Sequence, residues 1–96
     1  MEFRPLGRTG VSVSKFCFGA GMFGYFGNND EKECKKMVDH ALAEGINYFD
    51  TSDVYSHGES ETILGKALRG KRQDIILATK FSLPMDQNPN HKGNSR

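Results

Sequence analysis

The sequence predicts an α/β fold in which short strands alternate with amphipathic helices. Three observations predict it. Apolar runs of strand length, at 15–19, 46–49 and 74–80, are separated by two stretches with 3.6-residue apolar spacing. Each helical stretch is closed by a glycine, Gly45 and Gly70. Two of the strand-like runs stop abruptly in residues capable of chemistry, one at Asp50 and the other at Lys80. Such alternation implies right-handed crossovers and a parallel sheet with helices outside, and in these folds chemistry gathers where strands end.

The chain opens with two short alternating runs, 3–6 and 11–14, on either side of Gly7-Arg8-Thr9-Gly10. Glycine at both ends of a four-residue polar break predicts a hairpin turn, making residues 1–14 a small hairpin lid. Pro5 has no backbone N–H to give a central ladder, so its strand belongs at an edge. Residues 15–19 are apolar enough to predict a strand buried on both faces. They run into Gly19-Ala20-Gly21-Met22-Phe23-Gly24-Tyr25-Phe26-Gly27, where glycines interleave with large apolar side chains. The glycines permit close backbone approach to a ligand, and Met22 with the aromatics can wall a pocket.

Asp30 is then the expected cap of a helix, with Glu33 completing a capping box. Cys34, Met37, Val38, Ala41 and Leu42 form one apolar face, and Gly45 is the expected left-handed stop. His40 lies off that face and belongs in solvent. Residues 46–49 make the next strand. After a polar loop, Ile63, Leu64, Ala67 and Leu68 mark a shorter helix with Glu59 and Glu61 near its positive end. Residues 74–80 give the last strand, and 15–80 thus read β-α-β-α-β. Residues 81–96, with Asn, Pro, Gly and Ser and almost no periodicity, predict a loop or a disordered tail.

At 96 residues the chain holds one modest domain at most. Three parallel strands cannot close a barrel, so the residues describe a small incomplete α/β unit or the front part of something larger. Thirteen basic residues against 12 acidic ones, with no basic run, give no electrostatic case for nucleic acid or an acidic membrane surface. The start Met1-Glu2-Phe3-Arg4 has no apolar leader, and no apolar run reaches membrane-spanning length. Cys17 and Cys34 lack a CxxC spacing and fall in apolar patterns, which predicts two free, buried thiols in a reducing, cytoplasmic compartment. His40, His57 and His91 are too scattered to predict a metal site. An open sheet edge allows an oligomer.

Two arrangements carry candidate chemistry. Gly19-Ala20-Gly21-Met22-Phe23-Gly24 is formally GxGxxG after a strand, the outline of a dinucleotide-binding fingerprint. That motif needs its helix to open within the glycines so that the N-terminus faces a pyrophosphate. Here the cap is at Asp30, and Met22 and Phe23 would crowd a phosphate. The second arrangement is Asp50, Tyr55 and Lys80, which adjacent parallel strands can gather at one sheet edge. An ammonium beside a phenol favours the phenolate, and a carboxylate beside the ammonium keeps it charged and in place. Such a set can give a proton to a developing alkoxide. A solvated salt bridge at a strand end beside a packed tyrosine accounts for the same three residues.

Gly45-Ile46-Asn47-Tyr48-Phe49-Asp50-Thr51-Ser52, then Tyr55, then Glu59-Ser60-Glu61-Thr62-Ile63-Leu64-Gly65 resembles the signature of the aldo-keto reductase superfamily. Leu77-Ala78-Thr79-Lys80 resembles the strand that ends in the family's catalytic lysine. Leu6-Gly7-Arg8-Thr9-Gly10-Val11-Ser12-Val13-Ser14 and the loop from Gly19 to Gly24 look like its N-terminal hairpin and first βα loop. The resemblance is closest to bacterial-type members related to potassium-channel β subunits.

It implies the N-terminal portion of a (β/α)8 TIM barrel that reduces aldehydes and ketones, small carbonyl substrates, with NADPH. Tyr55 would be the general acid, Lys80 its pKa-lowering partner, and Asp50 the carboxylate that orients Lys80 and approaches the nicotinamide ribose. Gly21, Met22 and Phe23 would line the cofactor and substrate mouth, and His57 would be a loop residue. The family's fourth catalytic residue, a histidine, and most of its cofactor contacts would fall beyond Arg96. The chain alone is then expected to be inactive. A truncated, non-catalytic relative acting as a binding module is the alternative. Ser56 stands where many members carry glycine.

Overall fold

The computed structural model describes residues 1–94. The hairpin forms as expected. Strands β1 (Phe3–Pro5) and β2 (Ser12–Ser14) pair antiparallel, with Phe3 opposite Ser14 and Pro5 opposite Ser12. Its turn is closed by Leu6 N–H donating to Val11 O at 2.8 Å, and Thr9 Oγ donates to Leu6 O at 2.6 Å. Gly7 and Gly10 both take positive φ, which this turn requires.

Asn47 ties the hairpin to the rest of the molecule, and its own N–H donates to Ser14 Oγ at 3.2 Å. Asn47 Oδ1 accepts from Ser14 N–H at 2.7 Å, and Asn47 Nδ2 donates to Ser12 O at 3.1 Å. An amide side chain that satisfies both backbone groups of a strand imitates a further ladder rung.

A second sheet holds β3 (Phe18–Gly19), β4 (Tyr48–Asp50) and β5 (Ile76–Ala78), all parallel and adjacent in that order. Phe18 pairs with Phe49, and Asp50 pairs with both Gly19 and Ala78. The strand expected at 15–19 is therefore only two residues long, and it is not buried on both faces. Ser14 Oγ donates to Phe16 O at 2.6 Å, which folds the preceding residues into a bend. Phe16 is left 62% exposed. Cys17 is exposed as well, against the expectation of two buried thiols; Cys34 is the buried one.

Helix α1 (Glu31–Ala43) is capped by Asp30, whose carboxylate accepts from Lys32 and Glu33 N–H at 3.0 and 3.2 Å. The reciprocal half of the capping box is supplied differently. Asn28 Oδ1 accepts from Asp30 N–H at 2.9 Å, and Glu33 instead accepts from Asn28 Nδ2. Cys34, Val38 and Ala41 are buried, while Met37 at the margin of the stripe is exposed. Gly45 stops the helix at φ +92°.

Helix α2 (Glu59–Ala67) follows a short 3-10 turn at Tyr55–Gly58, and a second such turn at Arg72–Asp74 leads into β5. Ile63, Leu64, Ala67 and Leu68 all enter the core. The centre of that core is Phe49, fully buried, with the Phe18 ring 5.5 Å away and the Phe23 ring tilted against Phe18 at 5.8 Å. Residues 81–94 form neither helix nor strand but close on themselves, with Gly93 N–H donating to Ser82 O and His91 bonded to Asp86 at 2.7 Å. Among the described residues, no helix is long and apolar enough to cross a membrane.

Candidate active site

The parallel register decides which polar side chains meet. Asp50 is the last residue of β4, and beyond β5 the pairing continues through Thr51 N–H to Ala78 O and Asp53 N–H to Lys80 O. Lys80 is thereby held beside the residues that follow Asp50. Its ammonium donates to Asp50 Oδ2 at 2.7 Å, to Thr51 O at 2.7 Å and to Tyr55 Oη at 3.4 Å. An ammonium has three hydrogens, and all three are used. The Asp50 bond above all raises the pKa of Lys80 beyond its ordinary 10.5, against partial desolvation, with Tyr55 adding to the rise. Lys80 is charged at neutral pH.

Tyr55 opens the 3-10 turn between β4 and α2. Because Lys80 can only donate, Tyr55 Oη is the acceptor in their contact, and the phenol's own hydrogen is left for another acceptor. The ring lies against Gly21, where a Cβ would sit 3.7 Å from Tyr55 Cε2. Tyr55 with Gly21, Met22, Phe26, Val54 and Ser56 lines a cleft of about 390 Å³. A hollow of equal volume lined by Asn29, Glu31, His57, Gly58, Glu59, Thr62 and Ile63 holds none of the three candidate catalytic side chains.

Of the loop residues expected at the mouth, Gly21 and Met22 reach this cleft. Phe23 does not. Its N–H turns back to Ala20 O at 3.0 Å, and its ring, 4% exposed, packs on Phe18 in the core. The loop glycines also serve a different end from the one expected. A Cβ at Gly24 would lie 2.4 Å from Ser56 Cβ, and one at Gly27 would lie 2.2 Å from Met22 O. These glycines allow the protein's own chain, rather than a ligand, to come close. The dinucleotide fingerprint also fails, since α1 opens at Glu31 and not among the glycines. His57 stays in the loop, and His91 is bonded in the 81–94 segment.

A buried hydroxyl chain supports the site from behind. Ser60 Oγ donates to Ala20 O at 2.6 Å and lies 2.8 Å from Thr51 Oγ1. A serine has one hydroxyl hydrogen, so Thr51 must donate to Ser60. Ala20 N–H donates in turn to Asp50 O at 2.9 Å. Ala20, which leads to Gly21, is thus held at both its N–H and its carbonyl. Neither Ser60 nor Ser56 was identifiable as a site residue from spacing. The only signal was a cluster of serines and threonines between a strand end and a helix.

Residues 15–96 match the aldo/keto reductase family. The chain belongs to the aldo/keto reductase family. It is 39% identical over 100 residues to a probable voltage-gated potassium channel β subunit of Oryza sativa subsp. japonica, covering 100% of this chain and 30% of that one. The holo form of an aldo-keto reductase from Bacillus halodurans is 40% identical and superposes with a TM-score of 0.81, over 96% of this chain and 30% of that one. An uncharacterised 11.2 kDa protein from Pseudescherichia vulneris is 42% identical over 90 residues, with 83% of this chain and 85% of that one covered. This aldo/keto reductase chain therefore spans 30% of the length of the first two relatives and most of the third.

Proposed function

We propose that this chain supplies the N-terminal part of a (β/α)8-barrel reductase that converts aldehydes and ketones to alcohols with NADPH, in the cytoplasm. Tyr55 is the proton donor, Lys80 its charged partner and Asp50 the carboxylate that holds Lys80. The carrying observation is that Lys80 spends one donor on Tyr55 Oη and leaves the Tyr55 hydrogen free beside an apolar cleft. A solvated strand-end salt bridge would not require the ammonium to reach the phenol as well.

The residues present fit the nicotinamide end of the cofactor. Among the described residues, no side chain bonds Asp50 Oδ1, so this oxygen can accept from a ribose hydroxyl. Gly21 and Met22 border the same cleft, while Phe23 packs in the core. When bound, the nicotinamide supplies the hydride. As negative charge builds on the carbonyl oxygen, Tyr55 gives it a proton, and the Lys80 ammonium stabilises the phenolate left behind. Thr51 O and Asp50 hold that ammonium in place throughout.

The test is to isolate the native protein that carries this sequence, take its intact mass, and follow NADPH oxidation with aliphatic and aromatic aldehydes. A species several times heavier than 10.7 kDa with carbonyl-dependent NADPH oxidation is expected. No turnover by such a species would refute the assignment. A second reading, a short chain that acts by pairing with a partner, is favoured by the covered 11.2 kDa relative. It predicts a native mass near 10.7 kDa in a stable oligomer or complex.

A further inference from the structure

We propose that Ser56 is a positioning residue: it latches the loop between β3 and α1 onto the turn that carries Tyr55, and so sets the apolar substituent the cleft accepts. The inference rests on the reductase reading for its substrate and deepens it.

Ser56 directly follows Tyr55 and has φ +46°, ψ +37°, with His57 also left-handed at φ +56°. Two successive non-glycine residues in that region are uncommon, and such backbone persists only where the surroundings hold it. What holds Ser56 is visible. Its side chain is buried, 5% exposed, and its Oγ accepts from Phe26 N–H at 3.1 Å. Opposite stands Gly24, at φ +113°, where any Cβ would collide with Ser56 Cβ. The missing side chain at Gly24 makes the room that Ser56 fills.

The latch reaches the cleft because the loop is internally rigid. Gly24 N–H donates to Asn28 O, Gly27 N–H to Gly24 O and Asn28 N–H to Met22 O, all at 2.8–3.0 Å. Fixing the Phe26 amide therefore also fixes Met22. Both side chains are largely exposed, yet they stand with Tyr55 around the same cleft. The apolar substituent of a carbonyl compound that enters this cleft beside Tyr55 meets Met22 and Phe26. A glycine at position 56 takes the same backbone freely but gives Phe26 no acceptor.

The experiment compares Ser56→Ala and Ser56→Gly in the native protein. Alanine removes the hydroxyl and keeps the backbone constraint; glycine removes both, so a folding defect confined to Ser56→Ala does not obscure the result. In both variants the Phe26 amide is expected to exchange hydrogen at least about tenfold faster. The preference in kcat/KM for an aromatic aldehyde over a small aliphatic one is expected to fall about tenfold, with the loss carried by KM. Unchanged Phe26 exchange overturns the latch. Equal losses for both aldehydes, or a loss carried by kcat, overturn its role in specificity. Absence of turnover in the unsubstituted protein would count against the reductase reading instead, and amide exchange would still decide the latch.

Discussion

Lys80 is the residue on which the site turns, because one ammonium satisfies a carboxylate, a carbonyl and a phenol together. Its folded pKa is raised by Asp50. A raised lysine pKa stabilises the folded site fully below 10.5 and is lost as pH rises through the higher folded value. Activity that depends on Lys80 is therefore expected to hold from neutral pH to beyond 10.5 as far as this group is concerned; a loss assigned to Lys80 below that value would contradict the Asp50 bond. Tyr55 is the sharper test. Tyr55→Phe keeps the ring against Gly21 and removes the hydroxyl, both the proton it gives and the oxygen that accepts from Lys80, so kcat is expected to drop about 10²–10⁴-fold with cofactor affinity retained. Steady-state kinetics beside a cofactor titration checks it, and unchanged turnover would remove Tyr55 from its role.

Elements with local causes were legible in the sequence. The spacing of Cys34, Val38 and Ala41, the cap at Asp30 and the stop at Gly45 are all properties of a few neighbouring residues, and α1 forms where they place it. Asp30→Ala removes an acceptor shared by two amides, and a loss of about 1 kcal/mol is expected in the denaturant unfolding of the native protein. A change below a few tenths would mean that Asn28 alone can hold the helix start. What was not legible depended on distant partners. Residues 15–19 have a strand's composition, but Ser14 bends them away from the ladder. Phe23 has a pocket residue's composition, but a turn at Ala20 points it into the core. The exception at the site, Asp50 with Lys80, was readable because parallel register brings strand ends together whatever lies between them. Ser56 was not, since its environment is made by Gly24, far away in sequence.

At the scale of the molecule, the shape argues for further covering. The radius of gyration is 14.6 Å, against about 12.5 Å expected of a compact chain this long. The accessible surface is 6788 Å², against about 5,500 Å² for a folded monomer of this mass. Part of the excess is apolar: Phe16, Phe26, Phe81 and Leu83 are large side chains left in solvent. Exposed apolar surface of this kind is met by further chain or by a partner. Residues 1–96 made alone are therefore expected to self-associate or to unfold at low denaturant, and to bind NADPH weakly. Sedimentation, urea unfolding and a cofactor titration on the isolated chain measure all three. A stable monomer of 10.7 kDa with tight NADPH binding would contradict the barrel reading, and the same monomer without it would contradict the pairing module. Self-association of the isolated chain, beside a heavier and active native protein, is the outcome that the proposed reductase reading predicts.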